Sequence, residues 1–140
     1  YQWAQHSVSQ LDAALAVPLI VRALKESPPE RRALIVRILS NFGQDAQSAA
    51  ADVAMLLREE DPALHFESLV VMLRISPAAP EVEPALRREL TGRFAERLYR
   101  EKFPPEAGDN LQKIIDQPQS FVQYRAARRM LKKLAEHKNT

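Results

Sequence analysis

The sequence predicts an all-α fold in which antiparallel helix pairs stack on one another. An apolar pattern repeats at a spacing of 33 residues, and each repeat contains two segments whose apolar residues recur at helical spacing. Prolines and a glycine fall at the ends of these segments, where helices commonly begin and stop. No segment alternates apolar and polar residues as a half-buried strand does, so we expect no sheet.

The repeat is clearest in the first half of the chain. Residues 17–25 align with residues 50–58, and the same register continues without a gap into the second segment of each repeat. A third copy begins at Glu83 and is recognisable as far as Leu90. The apolar positions that coincide in the first two copies are Val17 with Ala50, Ile20 with Val53, Leu24 with Leu57, Val36 with Leu69, and Leu39 with Met72.

Each copy is expected to form two helices. In the first copy, residues 27–29 (Ser-Pro-Pro) end the first helix and supply a proline for the first turn of the next, which Gly43 ends. In the second copy, Asp61 and Pro62 form the turn. The second helix of this copy, residues 63–76, is apolar almost all round, and such a helix must be covered on both sides. This pattern is typical of the middle of a stack.

Beyond residue 90 the repeat is weaker. The sequence predicts one long helix over residues 81–103 that bends near Gly92, with two shorter helices as the alternative, and a last helix over residues 121–137. We therefore expect an N-terminal edge segment or helix, which either stands apart or runs into the helix that ends at Leu24, followed by one repeat domain. The predicted ranges are 1–15 for the edge segment, 16–137 for the domain, and about 16–43, 49–76, 82–103 and 110–137 for its four units.

Composition excludes several classes of site. The 140 residues contain no cysteine and only three scattered histidines, which removes disulfides, thiolate catalysis and cysteine-based metal sites. His65 and Glu67 are two residues apart and so point to different faces of a helix, which argues against an acid–base or metal pair. The sequence has no glycine-rich phosphate loop and no serine nucleophile motif. We expect no enzyme activity, no metal and no cofactor.

The chain contains no apolar run of the roughly 18 residues that a membrane-spanning helix needs. It begins at Tyr1 instead of methionine, so we expect a cloning boundary or a processing site there. The sequence favours a cytoplasmic location, and an upstream segment would allow a periplasmic or membrane-anchored one. Tyr1 and Trp3 either anchor an interface, since both residue types are common at binding hot spots, or belong to a linker.

The helix pairs resemble HEAT repeats, the units of α-solenoids. The resemblance covers residues 16–90, and residues 111–134 resemble a further, divergent copy. It implies a right-handed superhelical stack of about three to four helix pairs. The residues on which it depends are Val17-Pro18, Leu24-Lys25, the prolines of the turn, Glu30, Arg32, Leu39 and Gly43.

HEAT-like units commonly contain an Asp in the turn between the helices and an Arg early in the second helix, and these residues pair between units. Only Arg32 and Asp61 match these positions, because Pro28 replaces the Asp of the first unit and His65 replaces the Arg of the second. The resemblance therefore implies an ion pair between Arg32 and Asp61, within about 4 Å. Residues 51–62 also resemble the helical repeats of magnesium-transporter cytoplasmic domains and flagellar switch proteins, which are interaction superhelices as well.

The resemblance implies a non-catalytic module that binds or scaffolds another protein. In such stacks the second helices line an inner surface, so the candidate contact residues are Arg31, Arg37, His65 and Glu67. An enzyme of the helical-repeat glycosylase or lyase type would need a pocket with converging carboxylates and aromatic residues, which this sequence does not suggest.

The alternative is binding of nucleic acid or another polyanion by the last helix. Residues 118–140 have a net charge of +5, whereas residues 1–117 have −3. A terminal helix with a solvated basic face is the structural explanation of the same pattern, and the lack of aromatic residues on the basic arc argues against single-strand binding. The cations that share one arc of this helix are Arg125, Arg128, Arg129, Lys132 and Lys133.

A second basic run, over residues 87–100, is interspersed with acids. Oppositely charged residues four positions apart on a helix lie next to each other, so the run is expected to form a solvated, self-paired face. The predicted pairs are Glu83–Arg87, Glu89–Arg93, Glu96–Arg100 and Arg97–Glu101.

Overall fold

A computed structural model describes the backbone of residues 2–138 and the side chains of residues 13–136. All regular structure in this part of the chain is helical, as predicted, and it contains no strand. None of the described helices is both long and apolar enough to cross a bilayer. The helices are α1 (Gln2–Glu26), α2 (Pro29–Ser40), a 3-10 helix (Gly43–Ala49), α3 (Ala50–Leu56), α4 (Pro62–Ile75), α5 (Val82–Leu90), α6 (Ala95–Arg100), α7 (Ala107–Asp116) and α8 (Phe121–Lys138).

The α-helices follow one another as four pairs, and we call α1, α3, α5 and α7 the first helices and α2, α4, α6 and α8 the second helices. Of the two predicted alternatives, the edge segment runs into the first repeat helix, because α1 is uninterrupted from Gln2 through the exposed Pro18 to Glu26. The side chains of Tyr1 and Trp3, predicted as interface anchors, lie outside the described residues.

Proline, glycine and one aspartate set the helix ends in the first two pairs. Pro29 and Pro62 each occupy a first helical position, where a missing backbone N–H costs no hydrogen bond. The Asp61 carboxylate caps α4 and accepts hydrogen bonds from the backbone N–H groups of Ala63 (2.9 Å) and Leu64 (3.2 Å). Gly43 follows α2 with φ of +55°, a conformation that residues with a Cβ rarely adopt.

Helix α4 is the centre of the core. It packs against α2, α3, the 3-10 helix and α5, and this confirms that it is covered on more than one side. Even its polar residues in the middle are buried, as their positions on an enclosed helix require. The buried residues of α4 are Leu64, His65, Phe66, Glu67, Ser68, Leu69, Val70, Val71, Met72, Leu73 and Ile75.

The single bent helix predicted over residues 81–103 is wrong. The chain forms α5 and α6, separated by an irregular turn at residues 91–94. Apolar residues at steps of four drift around a helix by about 40° per step, so a continuous helix would carry Phe94 away from the core. The break at Gly92 instead places the Phe94 ring on Phe66 of α4, with the ring centroids 5.3 Å apart.

Truncation of α4 should cost far more stability than truncation of an exposed apolar residue. We expect Leu69→Ala to lower the free energy of unfolding by about 3 kcal/mol, because a fully buried leucine loses its contacts and leaves a cavity. Met55→Ala, on the exposed side of α3, should cost less than about 0.5 kcal/mol. Urea denaturation of the two variants measures the difference, and equal losses would contradict the central position of α4.

Candidate interaction surface

Positive charges are concentrated on the second helices of the pairs, and negative charges on the first helices. The segments that contain the second helices, residues 28–42, 62–76, 91–103 and 118–140, hold 14 Lys/Arg and 5 Asp/Glu, a net charge of +9. The remaining segments, which contain the first helices, hold 6 Lys/Arg and 13 Asp/Glu, a net charge of −7. The overall charge of +2 therefore hides two strongly charged sets of helices.

The second helices are neighbours in chain order. Helix α2 packs against α4, and α6 packs against α8. Between them, the guanidinium carbon of Arg97 in α6 lies 4.7 Å from the centroid of the Phe66 ring in α4. The four second helices thus form a continuous arrangement, which we call the second-helix layer.

Glu67 lies at the junction of three second helices. Its Oε1 atom accepts hydrogen bonds from Arg37 Nη2 of α2 at 2.7 Å and from Arg97 Nη2 of α6 at 3.3 Å. The hydrogen bond and the negative charge of Glu67 raise the pKa of the Arg37 guanidinium above its ordinary value. Glu67 is buried, so its assignment as a partner-contact residue is wrong, whereas Arg37 and Arg97 remain partly exposed beside it.

The assignment of His65 as a contact residue is also wrong. His65 is buried, and its Nδ1 atom lies 2.6 Å from Glu89 Oε1 of α5 in a pair that is itself buried. Because α4 is enclosed, a position off its apolar stripe faces another helix instead of solvent. His65 and Glu67 have different partners on different helices, in agreement with their predicted orientation toward different faces.

The ion pair predicted between Arg32 and Asp61 is absent from the described residues. Arg32 Nε donates a hydrogen bond to the Ser27 carbonyl oxygen at 3.2 Å, and the Asp61 carboxylate is engaged as the cap of α4. Asp61 therefore satisfies backbone groups at the start of its own helix, and Arg32 satisfies a carbonyl at the end of the preceding helix α1.

Other contacts link the pairs in place of that ladder. Arg74 of α4 donates to the hydroxyl of Ser40, the last residue of α2, and pairs with Glu101 Oε2, just after α6, at 2.7 Å. On the first helices, Lys25 Nζ lies 3.1 Å from Asp52 Oδ1. The sequence pattern did not indicate Arg74, and it paired Arg97 with Glu101 instead of Glu67. Their partners lie 27 and 30 residues away, so a search for opposite charges about one repeat apart would have found them.

Of the four i,i+4 pairs predicted over residues 83–101, only Glu83–Arg87 forms, with 3.3 Å between its charged atoms. The break between α5 and α6 separates only Glu89 from Arg93. The other two pairs lie at α6 itself, and their acids bind residues of other helices instead. Glu89 pairs with His65, and Glu96 pairs with Arg129 of α8 at 3.1 Å.

Aromatic rings lie beside the cations of α8, which corrects the expectation that they are absent from its basic arc. The guanidinium carbon of Arg125 is 5.9 Å from the centroid of the exposed Phe121 ring, and that of Arg128 is 5.7 Å from the Tyr124 centroid. The two rings stack at 6.4 Å. Arg129 is different, because it pairs with Glu96 and lies 4.3 Å above the Tyr99 ring.

Several exposed cations of the second-helix layer have no carboxylate within 4.0 Å among the described residues. They lie on α2, on α6 and the residues just before and after it, and on α8. Helix α4 contributes none, because its Arg74 is paired. A partner that brings negative charge therefore finds free cations along most of this layer. These cations are Arg31, Arg93, Arg100, Arg125, Arg128 and Lys132, together with Lys102 just after α6, whereas Lys133 is half-buried.

Comparison with protein-family models, with curated proteins and with solved structures gives no match for this chain. Its role is therefore argued from its own residues. Within the described residues, no cluster of three or more potential metal-ligating side chains occurs.

The Glu67 junction should stabilise the contact between α2, α4 and α6. We expect Glu67→Gln to lower the free energy of unfolding by about 1–3 kcal/mol, because two guanidinium groups lose a buried anionic partner. Arg37→Gln should cost less, since that side chain is half exposed. A double-mutant cycle by urea denaturation measures the coupling, with Glu59→Gln, an exposed residue, as the control. Additive effects would contradict the junction.

Tyr99 reports whether Arg129 is held against α6. Burial raises the pKa of the Tyr99 phenol above its ordinary value of 10.0, and the cation of Arg129 opposes this rise. Arg129→Gln should therefore raise the pKa of Tyr99 further. Ultraviolet absorbance titration measures it in a background with Tyr1→Phe and Tyr124→Phe. An unchanged pKa would mean that Arg129 does not rest on the ring in solution.

Proposed function

We propose that this chain is a non-catalytic binding module, built as a HEAT-like α-solenoid, whose second-helix layer binds an acidic segment of a partner protein. The observation that supports this most directly is the separation of charge, with +9 on the second-helix segments and −7 on the rest. A self-paired surface would mix the two signs. Here the excess cations are exposed and share one set of adjacent helices.

Three features support the solenoid. The α-helices follow as four pairs, consecutive second helices are neighbours, and the contacts between pairs join residues about one repeat apart. Arg37 and Glu67 are 30 residues apart, and Glu96 and Arg129 are 33 apart. A stack of similar units explains this regular separation, because each unit contacts its neighbours through equivalent positions.

An extended acidic peptide fits the spacing of this layer. Adjacent packed helices lie about 8–10 Å apart, and an extended chain covers about 3.3 Å per residue. A peptide that crosses the second helices with a carboxylate every third residue therefore meets free cations on α2 and, beyond α4, on α6 and α8. Arginine suits this task because its guanidinium binds carboxylates with two parallel hydrogen bonds. The layer already binds its own carboxylates in this manner at Glu96, through Arg129 Nη1 and Nη2.

A second candidate function is binding of single-stranded nucleic acid at the start of α8. The stacked rings of Phe121 and Tyr124, flanked by Arg125 and Arg128, favour it. Bases stack on exposed aromatic side chains, and neighbouring cations bind the phosphates. This surface involves one helix, whereas the acidic-peptide surface involves the whole layer.

Three double variants with the same change in charge distinguish these functions. Arg93→Glu/Arg100→Glu alters the layer on α6 and the turn before it, and Arg125→Glu/Arg128→Glu alters α8. The control, Arg58→Glu/Lys113→Glu, reverses two exposed cations of the first-helix segments. Fluorescence anisotropy measures the affinity of each variant for a labelled glutamate-rich peptide and for a labelled oligo(dT), and circular dichroism confirms folding.

We expect both layer variants to weaken binding of the acidic peptide by about tenfold or more, and the control variant by less than about threefold. Equal losses in all three variants would reduce the binding to nonspecific charge attraction and contradict the proposal. Binding of oligo(dT) that only the α8 variant abolishes, without binding of the peptide, would instead support the second candidate.

A further inference from the structure

The first helix pair exposes apolar side chains on the side that we call the outer face. Leu15 and Leu19 of α1 are 72% and 63% exposed, and Leu34 and Ile38 of α2 are 60% and 47% exposed. Each couple is spaced by four residues and so lies on one side of its helix. Seven large apolar side chains are exposed in the described part of the chain, and four of them belong to this pair.

The 33-residue repeat shows what the equivalent positions do in the second pair. Leu19, Leu34 and Ile38 correspond to Asp52, Glu67 and Val71. Asp52 pairs with Lys25 of the first helix pair, and Glu67 pairs with Arg37 of the same pair. Val71 is fully buried. The outer face is therefore equivalent to a surface that a neighbouring helix pair covers one repeat later.

The outer face has leucines where the covered surface has carboxylates, and this difference determines which partner fits it. An ordinary neighbouring pair presents cations at the positions of Lys25 and Arg37, and Leu19 and Leu34 offer them no carboxylate. A surface that is itself apolar fits better, because contact between leucines buries apolar surface area and leaves no charged group buried without a partner. The other exposed large apolar residues described are Met55 on α3 and Phe121 and Val122 on the basic α8, so none forms a matching face.

We propose that the outer face is a self-association surface that binds the same face of a second copy of this chain around a twofold axis. Such an interface is self-complementary, since each copy supplies the same patch. Glu30 and Arg31 adjoin Leu34 on α2 and give each copy exposed charges of both signs for the rim of the interface. This proposal does not depend on the binding of an acidic partner.

Sedimentation equilibrium of the whole chain over a range of concentrations tests the proposal. The key variant is Leu19→Asp/Leu34→Glu, which installs the residues of the equivalent positions in the second pair. Met55→Asp/Val122→Glu is the matched control, because it makes the same kind of change at exposed apolar positions outside the outer face. Thermal unfolding of both variants verifies that they fold.

We expect the unmodified chain and the control to form a dimer that persists at high salt, as an apolar interface should. The outer-face variant should weaken the dimer by on the order of a hundredfold or more, because carboxylates would be buried without partners. An unmodified chain that stays monomeric at every concentration would overturn the proposal. A dimer of equal strength in the outer-face variant would overturn it as well, since another surface would then be responsible.

Discussion

The enclosure of α4 is the constraint on which the rest of the structure depends. A helix that is apolar on every side has no face to present to water, so the helices before and after it in the chain must cover it. This requirement brings α2, α3 and α5 against α4 and places α6 above its Phe66 ring. Burial then imposes a second requirement, because polar groups within an enclosed helix need partners from the covering helices.

The polar residues of α4 show how that second requirement is met. His65 is matched by Glu89, and Glu67 is matched by two arginines from opposite sides. The Ser68 hydroxyl has no partner among the described residues, and it is the one polar side-chain atom of this part of the chain that is buried without one. One carboxylate shared by two guanidinium groups leaves a net positive charge at the surface above it. The packing of the core and the charge of the second-helix layer are therefore connected.

The sequence predicted those features that depend on local chemistry. Proline and glycine placed the helix ends of the first two pairs, and the apolar pattern of residues 63–76 predicted an enclosed helix. It failed where a long-range contact decides between local alternatives. The packing of Phe94 on Phe66 favours a broken helix over a continuous one. The residues around Gly92 alone do not show that Phe94 contacts Phe66. Glu89, Glu96 and Glu101 likewise bind residues of other helices instead of the arginines four residues away in the sequence.

The candidate surface could be predicted only in part for a related reason. Arg31, Arg37 and the cations of α8 were predicted as contact residues because charge and helix periodicity are visible in one segment. His65 and Glu67 were misplaced because exposure depends on neighbours that the segment does not contain. The charge of the second-helix layer emerges only when the segments are sorted by their position in the helix pairs, since the two sets nearly cancel along the chain.

The two proposed surfaces meet on α2, which contributes Arg31 and Arg37 to the second-helix layer and Leu34 and Ile38 to the outer face. Association through the outer face would therefore bring the two layers together at their α2 ends. Such a dimer would offer a long acidic partner twice the length of cationic surface, and binding to the second half would be intramolecular. The same arrangement would bring like charges closer, which weakens the dimer, and an acidic partner or salt offsets the repulsion. Self-association and partner binding would then favour each other, since both reduce the free cation charge at the junction.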